Sequence, residues 1–228
     1  GIDKDGRDRT AVCCLSSLNL EKYDEWKDDP NMISDVMRFL DNVLSDFINK
    51  APDQFKDAKY SAERERSVGL GVMGFHSFLQ KHRIPLESVM AKSWNKKIFK
   101  QIDEQVNQAS KDLAEERGAC PDAAEYGYKE RFSNKTAIAP TASISIICGG
   151  ASPGVEPIAA NSYTHKTLSG SFNVRNRYLE EILDNHGKND DETWSSITTN
   201  QGSVSHLDFL TDLEKDVFKT AFELNQKW

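Results

Sequence analysis

Two stretches of this sequence carry side chains suited to chemistry. The first holds Cys13 and Cys14, inside the apolar run TAVCCLSSLN at residues 10–19. A thiol can cycle between reduced and disulfide forms. Adjacent cysteines on a strand point to opposite faces, however, and make a poor pair with each other. A redox role therefore needs a partner on another element; two small buried hydrophobes are the structural alternative. The second stretch, residues 137–157, reads AIAPTASISIICGGASPGVEP. A short strand ends at Pro140, and Thr141, Ala142, Ser143, Ile144 and Ser145 turn into a possible helix start. Small side chains let backbone N–H groups approach a ligand, hydroxyls add donors, and a helix N-terminus favours negative charge. The result is a phosphate cradle without a lysine, or else an ordinary capped helix.

Other patterns argue for less. Gly69, Gly71 and Gly74 spell G-x-G-x-x-G. As a dinucleotide site this needs a buried strand before it, in a βαβ unit. The preceding SAERERSV is too charged, and no second βαβ unit follows, so close helix packing explains these glycines better. The five histidines (His76, His82, His165, His186 and His206) lack metal-ligand spacing, and the four cysteines show no CxxC. No zinc site and no nucleophile elbow is expected.

Several elements must position these groups. Residues 10–19 suit a buried strand, apolar on both faces. Residues 32–49 place Val36, Met37, Leu40, Val43, Leu44, Phe47 and Ile48 at helical spacing, with Ser34 as N-cap. Residues 68–82 read as a second, glycine-rich helix. Trp94, Ile98, Ile102, Val106, Ala109 and Leu113 recur along one face of a long helix over residues 88–117, with Gly118 as its cap. An exposed connection over 119–134 leads to a short buried strand at 136–139. Irregular chain to about Arg175 precedes helices at 177–186, 191–198 and 207–228. Strands separated by helices define an α/β class, but two strands are too few to close a sheet. A helix-rich piece of a larger α/β barrel fits better, as one domain over residues 1–228.

Composition narrows the function. With 29 basic against 36 acidic residues, the net charge of −7 argues against a nucleic-acid or anionic-membrane footprint. No apolar run approaches a membrane span. Sparse cysteines and no secretory leader suit a cytoplasmic protein with reduced thiols. The chain lacks an initial Met and stays helical in pattern to Trp228, so both ends are expected to be cut from something longer.

Taken in order, TAVCCLSSLNLE, ERSVGLGVMGF, DLAEERG, APTASIS…GVEP and NSYTHKTLSGSF resemble the large (α) subunits of class I ribonucleoside-diphosphate reductases. The resemblance runs from about Arg9 to Trp228. It implies a ten-stranded α/β barrel made of two five-stranded halves, of which this chain is most of the second. It implies that Cys13 is one of two cysteines oxidised when substrate is reduced. It further implies that Pro140, Thr141, Ala142, Ser143, Ile144 and Ser145 hold the substrate diphosphate, sharing one hollow with Cys13. The implied partners are the missing portion of the large subunit, a radical-generating small subunit, a ribonucleoside diphosphate and further copies in an oligomer. This segment is expected to bind no cofactor directly. The thiyl radical comes from the small subunit's action, and a thioredoxin- or glutaredoxin-type dithiol supplies electrons. The radical cysteine lies outside this segment, so no activity is expected from it alone. The alternative is a non-catalytic half-barrel retained for assembly or phosphate binding.

Overall fold

In the computed structural model, residues 1–168, 170–225 and 227–228 are described. The elements in order are β1 (Leu15–Asn19), α1 (Tyr23–Trp26), α2 (Met32–Lys50), α3 (Lys56–Glu65), β2 (Gly69–Met73), α4 (Phe75–Lys81), α5 (Val89–Arg117) and α6 (Pro121–Glu125). Then come α7 (Ile144–Ile147), β3 (Ser162–Thr167), β4 (Gly170–Arg175), α8 (Arg177–Asn185), α9 (Asp191–Thr199) and α10 (Asp212–Val217). No helix among the described residues is long and apolar enough to cross a membrane. The chain forms two compact units: residues 1–18, 23–72 and 96–140, and residues 19–22, 73–95 and 141–228.

In the first unit the amphipathic helices form where the apolar spacing predicts them. α2 buries Ile33, Met37, Leu40, Leu44 and Ile48; its N-cap is Asn31 rather than Ser34, and it makes no side-chain cap bond. α5 buries Ile98, Ile102, Val106, Ala109 and Leu113, and Gly118 follows at φ +89, where a side chain is disfavoured. Asp41, fully buried on α2, is the hub of three arginines. Arg66 Nε and Arg131 Nε each donate to its Oδ1 at 2.9 Å, and Arg117 Nη1 to its Oδ2 at 2.8 Å.

Three expectations change here. β1 begins only at Leu15, so Cys13 and Cys14 lie just before the strand rather than within it. The glycine-rich helix over residues 68–82 is instead β2 followed by α4, with Gly74 left-handed (φ +78) at the junction. All five β2 residues are buried. A Cβ added at Gly71 would stand 2.1 Å from the Ala137 carbonyl oxygen, so the glycines serve close strand packing. Residues 136–139 are not a buried strand. Leu70 bridges Thr136 in parallel, but Ile138 is half exposed, since only one side of this segment meets a partner strand among the described residues. The 119–134 connection is mostly exposed, as expected; it carries the short helix α6 and is held by buried Cys120 and Phe132.

The second unit packs around Leu179, Leu183, Trp194, Ile197, Val217 and Phe218. α8 and α9 start at side-chain caps: Asn176 accepts from the Tyr178 amide and Asp190 from the Thr193 amide. Residues 162–175, expected to be irregular, form an antiparallel hairpin, with Tyr163 opposite Val174 and His165 opposite Phe172. Most of β4 is exposed, so no apolar alternation marked it. Ser169, within the THKTLSGSF motif, lies outside the described residues. The helix expected over 207–228 shrinks to α10. A Thr211–Glu214 capping box starts it. Tertiary bonds then turn the chain aside, with the Phe218 carbonyl accepting from Asn161 Nδ2 at 2.7 Å and the Ala221 amide donating to the Ile158 carbonyl at 2.8 Å. Gln226 lies outside the described residues.

Candidate active site

The loop after Pro140 is built by backbone bonds that leave its leading edge free. Thr141 is buried in a left-handed conformation, φ +52. Its carbonyl accepts from the Ser145 amide at 2.9 Å, and its hydroxyl accepts from the Gly154 amide at 2.7 Å. The Ser145 carbonyl takes the amides of Gly150 and Ala151 at 3.0 and 3.1 Å. The loop is thereby closed on itself from residue 141 to residue 154. Ala142, Ser143 and Ile144 are exposed, and among the described residues their three amides meet no acceptor. The Ser143 hydroxyl makes no cap bond, whereas Ser145 is buried and points its hydroxyl at the Ala142 carbonyl. Three successive free N–H groups and one free hydroxyl form a donor set of the kind that suits an anion, with dipoles rather than a lysine as its source of positive potential.

A cavity of about 540 Å³ adjoins this loop, lined by Ala142, Ser145 and Ile146, by Gln80 of α4, and by Asn161, Arg175, Asn176 and Arg177. Sequence reasoning missed this wall. Its only signal was the Arg-Asn-Arg run at 175–177, which looks like a charged helix start. Asn176 Nδ2 donates to Asn161 Oδ1 at 2.8 Å and to Gln80 Oε1 at 3.0 Å, fixing the cavity's polar floor. His76 sits behind it, fully buried, its Nδ1 accepting from the Ile158 amide at 3.0 Å. Burial lowers its pKa to about 4, so it stays neutral and structural.

Cys13 lies in the first unit and the loop in the second. Cys13 is exposed and Cys14 buried, so the two thiols do point apart, and both are unpaired. Cys14 Sγ donates to the Leu40 carbonyl at 3.7 Å, and burial pushes its thiol above the ordinary range. A protonated, enclosed sulfur is a poor nucleophile. Cys13 is therefore the more available of the pair. Cys120 is buried, and Cys148, at the C-terminal end of α7, is exposed.

The fold and motifs place the chain in a family: the model for the ribonucleotide reductase barrel domain matches residues 2–131 and 122–228, and the chain belongs to it. The chain is 52% identical over 224 residues to the ribonucleoside-diphosphate reductase large subunit of Invertebrate iridescent virus 6, covering 96% of this chain and 23% of that protein. It is 47% identical to the large subunit of Invertebrate iridescent virus 3, covering 96% of this chain and 35% of the relative. Among solved structures, the Actinobacillus ureae class Id ribonucleotide reductase alpha subunit superposes with a TM-score of 0.85 at 42% identity, over 93% of this chain and 39% of that one. The chain thus spans between about a quarter and two-fifths of these relatives.

Proposed function

We propose that this chain is part of the catalytic barrel of a subunit that reduces ribonucleoside diphosphates to deoxyribonucleoside diphosphates. It forms most of the second five-stranded half of a ten-stranded barrel, within one domain completed by the missing portion. The loop of Pro140, Thr141, Ala142, Ser143, Ile144 and Ser145 holds the substrate diphosphate, and Cys13 supplies one reducing thiol. The three unpaired amides of residues 142–144 carry this reading, because a diphosphate offers the acceptor oxygens they lack. The exposure of Cys13 against the burial of Cys14 supports the choice of sulfur.

In the reaction the ribose 2′-hydroxyl leaves as water while two thiols become one disulfide. Cys13 gives one of them, and the missing portion gives the other together with the radical cysteine. A separate small subunit generates the radical, and a thioredoxin- or glutaredoxin-type dithiol restores both thiols in a reducing cytoplasm. Holding the nucleotide by its diphosphate converts an encounter into an oriented complex, an effect of order 7–11 kcal/mol at best.

The test uses the complete large subunit with its small subunit. Cys13→Ser should abolish dithiol-driven turnover and Cys14→Ser should retain it, while the 228-residue chain alone should form no deoxyribonucleotide. Turnover that survives Cys13→Ser and dies with Cys14→Ser would overturn the assignment.

A further inference from the structure

One charged pair in the second unit has no part in the chemistry above. Glu21, on the 3-10 turn Leu20–Lys22, is 4% exposed. A buried carboxylate persists only when paired and hydrogen-bonded, and both partners come from the first turn of α8. The Tyr178 hydroxyl donates to Glu21 Oε1, and Arg177 Nη1 lies 3.4 Å from the same oxygen. Burial and that hydrogen bond push the Tyr178 hydroxyl well above its ordinary value, so it stays a donor.

From this seat the Arg177 guanidinium packs over the open face of the Gly149–Gly150 turn, with no hydrogen bond to it among the described residues. A Cβ added at Gly150 would stand 3.4 Å from Arg177 Nη2. Gly149 and Gly150 are left-handed, at φ +93 and +78, and the Gly150 amide donates to the Ser145 and Ile146 carbonyls at 3.0 and 3.2 Å. This turn closes α7 from behind. Glu21 touches the same turn by a second route: its amide donates to Asn19 Oδ1 at 3.0 Å, and Asn19 Nδ2 donates to the Cys148 carbonyl at 3.5 Å. No other acceptor meets the Arg177 guanidinium among the described residues, and it lines the same cavity as Ala142 and Ser145.

We propose that Arg177, seated by Glu21, is a positioning residue for the diphosphate loop: it braces the Gly149–Gly150 turn and so fixes the direction of the amides at residues 142–144. This rests on the diphosphate role proposed for that loop.

The test uses the complete large subunit with its small subunit, reading KM and kcat for a ribonucleoside diphosphate and inhibition by inorganic pyrophosphate. Arg177→Gln and Glu21→Gln should raise KM and the pyrophosphate inhibition constant together, by about tenfold (roughly 1.4 kcal/mol), with kcat little changed. Arg177→Lys should not rescue, because a point charge on a flexible stem lacks the planar fork that spans carboxylate and turn. Unchanged constants in Arg177→Gln, or full rescue by Arg177→Lys, overturn the inference. Should Glu21→Gln fail to fold, the Arg177 pair decides alone. Ser143→Glu, which sets a negative charge in the cradle, separates the two levels. If it leaves KM unchanged, the loop does not hold the diphosphate; if it raises KM while Arg177→Gln does not, only the bracing role fails.

Discussion

The Thr141 hydroxyl accepts the Gly154 amide at 2.7 Å while Thr141 itself sits at φ +52. A β-branched residue in the left-handed region carries a backbone cost that glycine avoids, so the bond and the strain oppose each other. Thr141→Ala loses the bond and keeps the strain, whereas Thr141→Gly loses the bond and relieves it. Glycine should therefore be the milder change by about 1 kcal/mol, read by denaturant unfolding. Equal losses would show that the bond alone matters.

His76 predicts an acid-sensitive second unit. Its folded pKa of about 4 lies below the ordinary 6.5 because burial disfavours the charged ring. Below pH 6.5 the unfolded chain binds a proton that the folded one refuses, so stability falls as pH drops from 6.5 toward 4. The loss between pH 7 and pH 5 should be about 2 kcal/mol. Urea unfolding at the two pH values measures it, and His76→Leu should remove this slope. A slope unchanged in that variant would assign it elsewhere.

How much of this was legible follows from period and partner. α2 and α5 announce themselves because one face of each is apolar at helical spacing. The same rule misreads residues 68–82, since GLGVM is buried on every side and a fully buried run has no period. The strand β4 fails for the opposite reason, being mostly exposed on both faces. In the site, the hydroxyl-rich turn at 140–145 is local and could be read. The Glu21–Arg177 contact joins residues 156 positions apart and leaves no local trace.

Strand packing at β2 gives a sharper mutational test than its helix-like sequence suggests. At Gly71 an added Cβ would meet backbone, the Ala137 carbonyl oxygen at 2.1 Å, which cannot rotate away. Gly71→Ala should cost about 3 kcal/mol, the upper end for overpacking. Gly118→Ala meets no atom within 4 Å and should cost about 1 kcal/mol through its positive φ alone. Comparing the two unfolding midpoints tests whether close approach dominates.

Thiol exposure predicts a labelling order. Cys13 and Cys148 are exposed, Cys14 and Cys120 buried, and burial pushes both buried thiols upward. Under native conditions iodoacetamide should modify the first pair and spare the second, with all four reacting in denaturant. Peptide mass spectrometry resolves the sites; rapid native labelling of Cys14 would contradict its enclosure.

Asp41 should be the most costly charge to remove from the first unit. Burial opposes its ionisation, yet the hydrogen bonds from Arg131 and Arg117 and the charge of Arg66 outweigh this and hold its pKa below 3.8. Asp41→Ala strands Arg66, whose side chain is 9% exposed, and should cost about 3–5 kcal/mol. Arg117→Ala removes a partner that is 27% exposed and should cost about 1 kcal/mol or less. The sign with pH is that of a depressed carboxylate: the contribution is whole above pH 3.8 and fades as acid protonates Asp41. The His76 loss runs from pH 6.5 toward 4, so acid should weaken the second unit before the first. Hydrogen exchange at pH 5 should show faster opening around Ile158 while amides near Asp41 keep their protection, and the reverse order would refute both assignments.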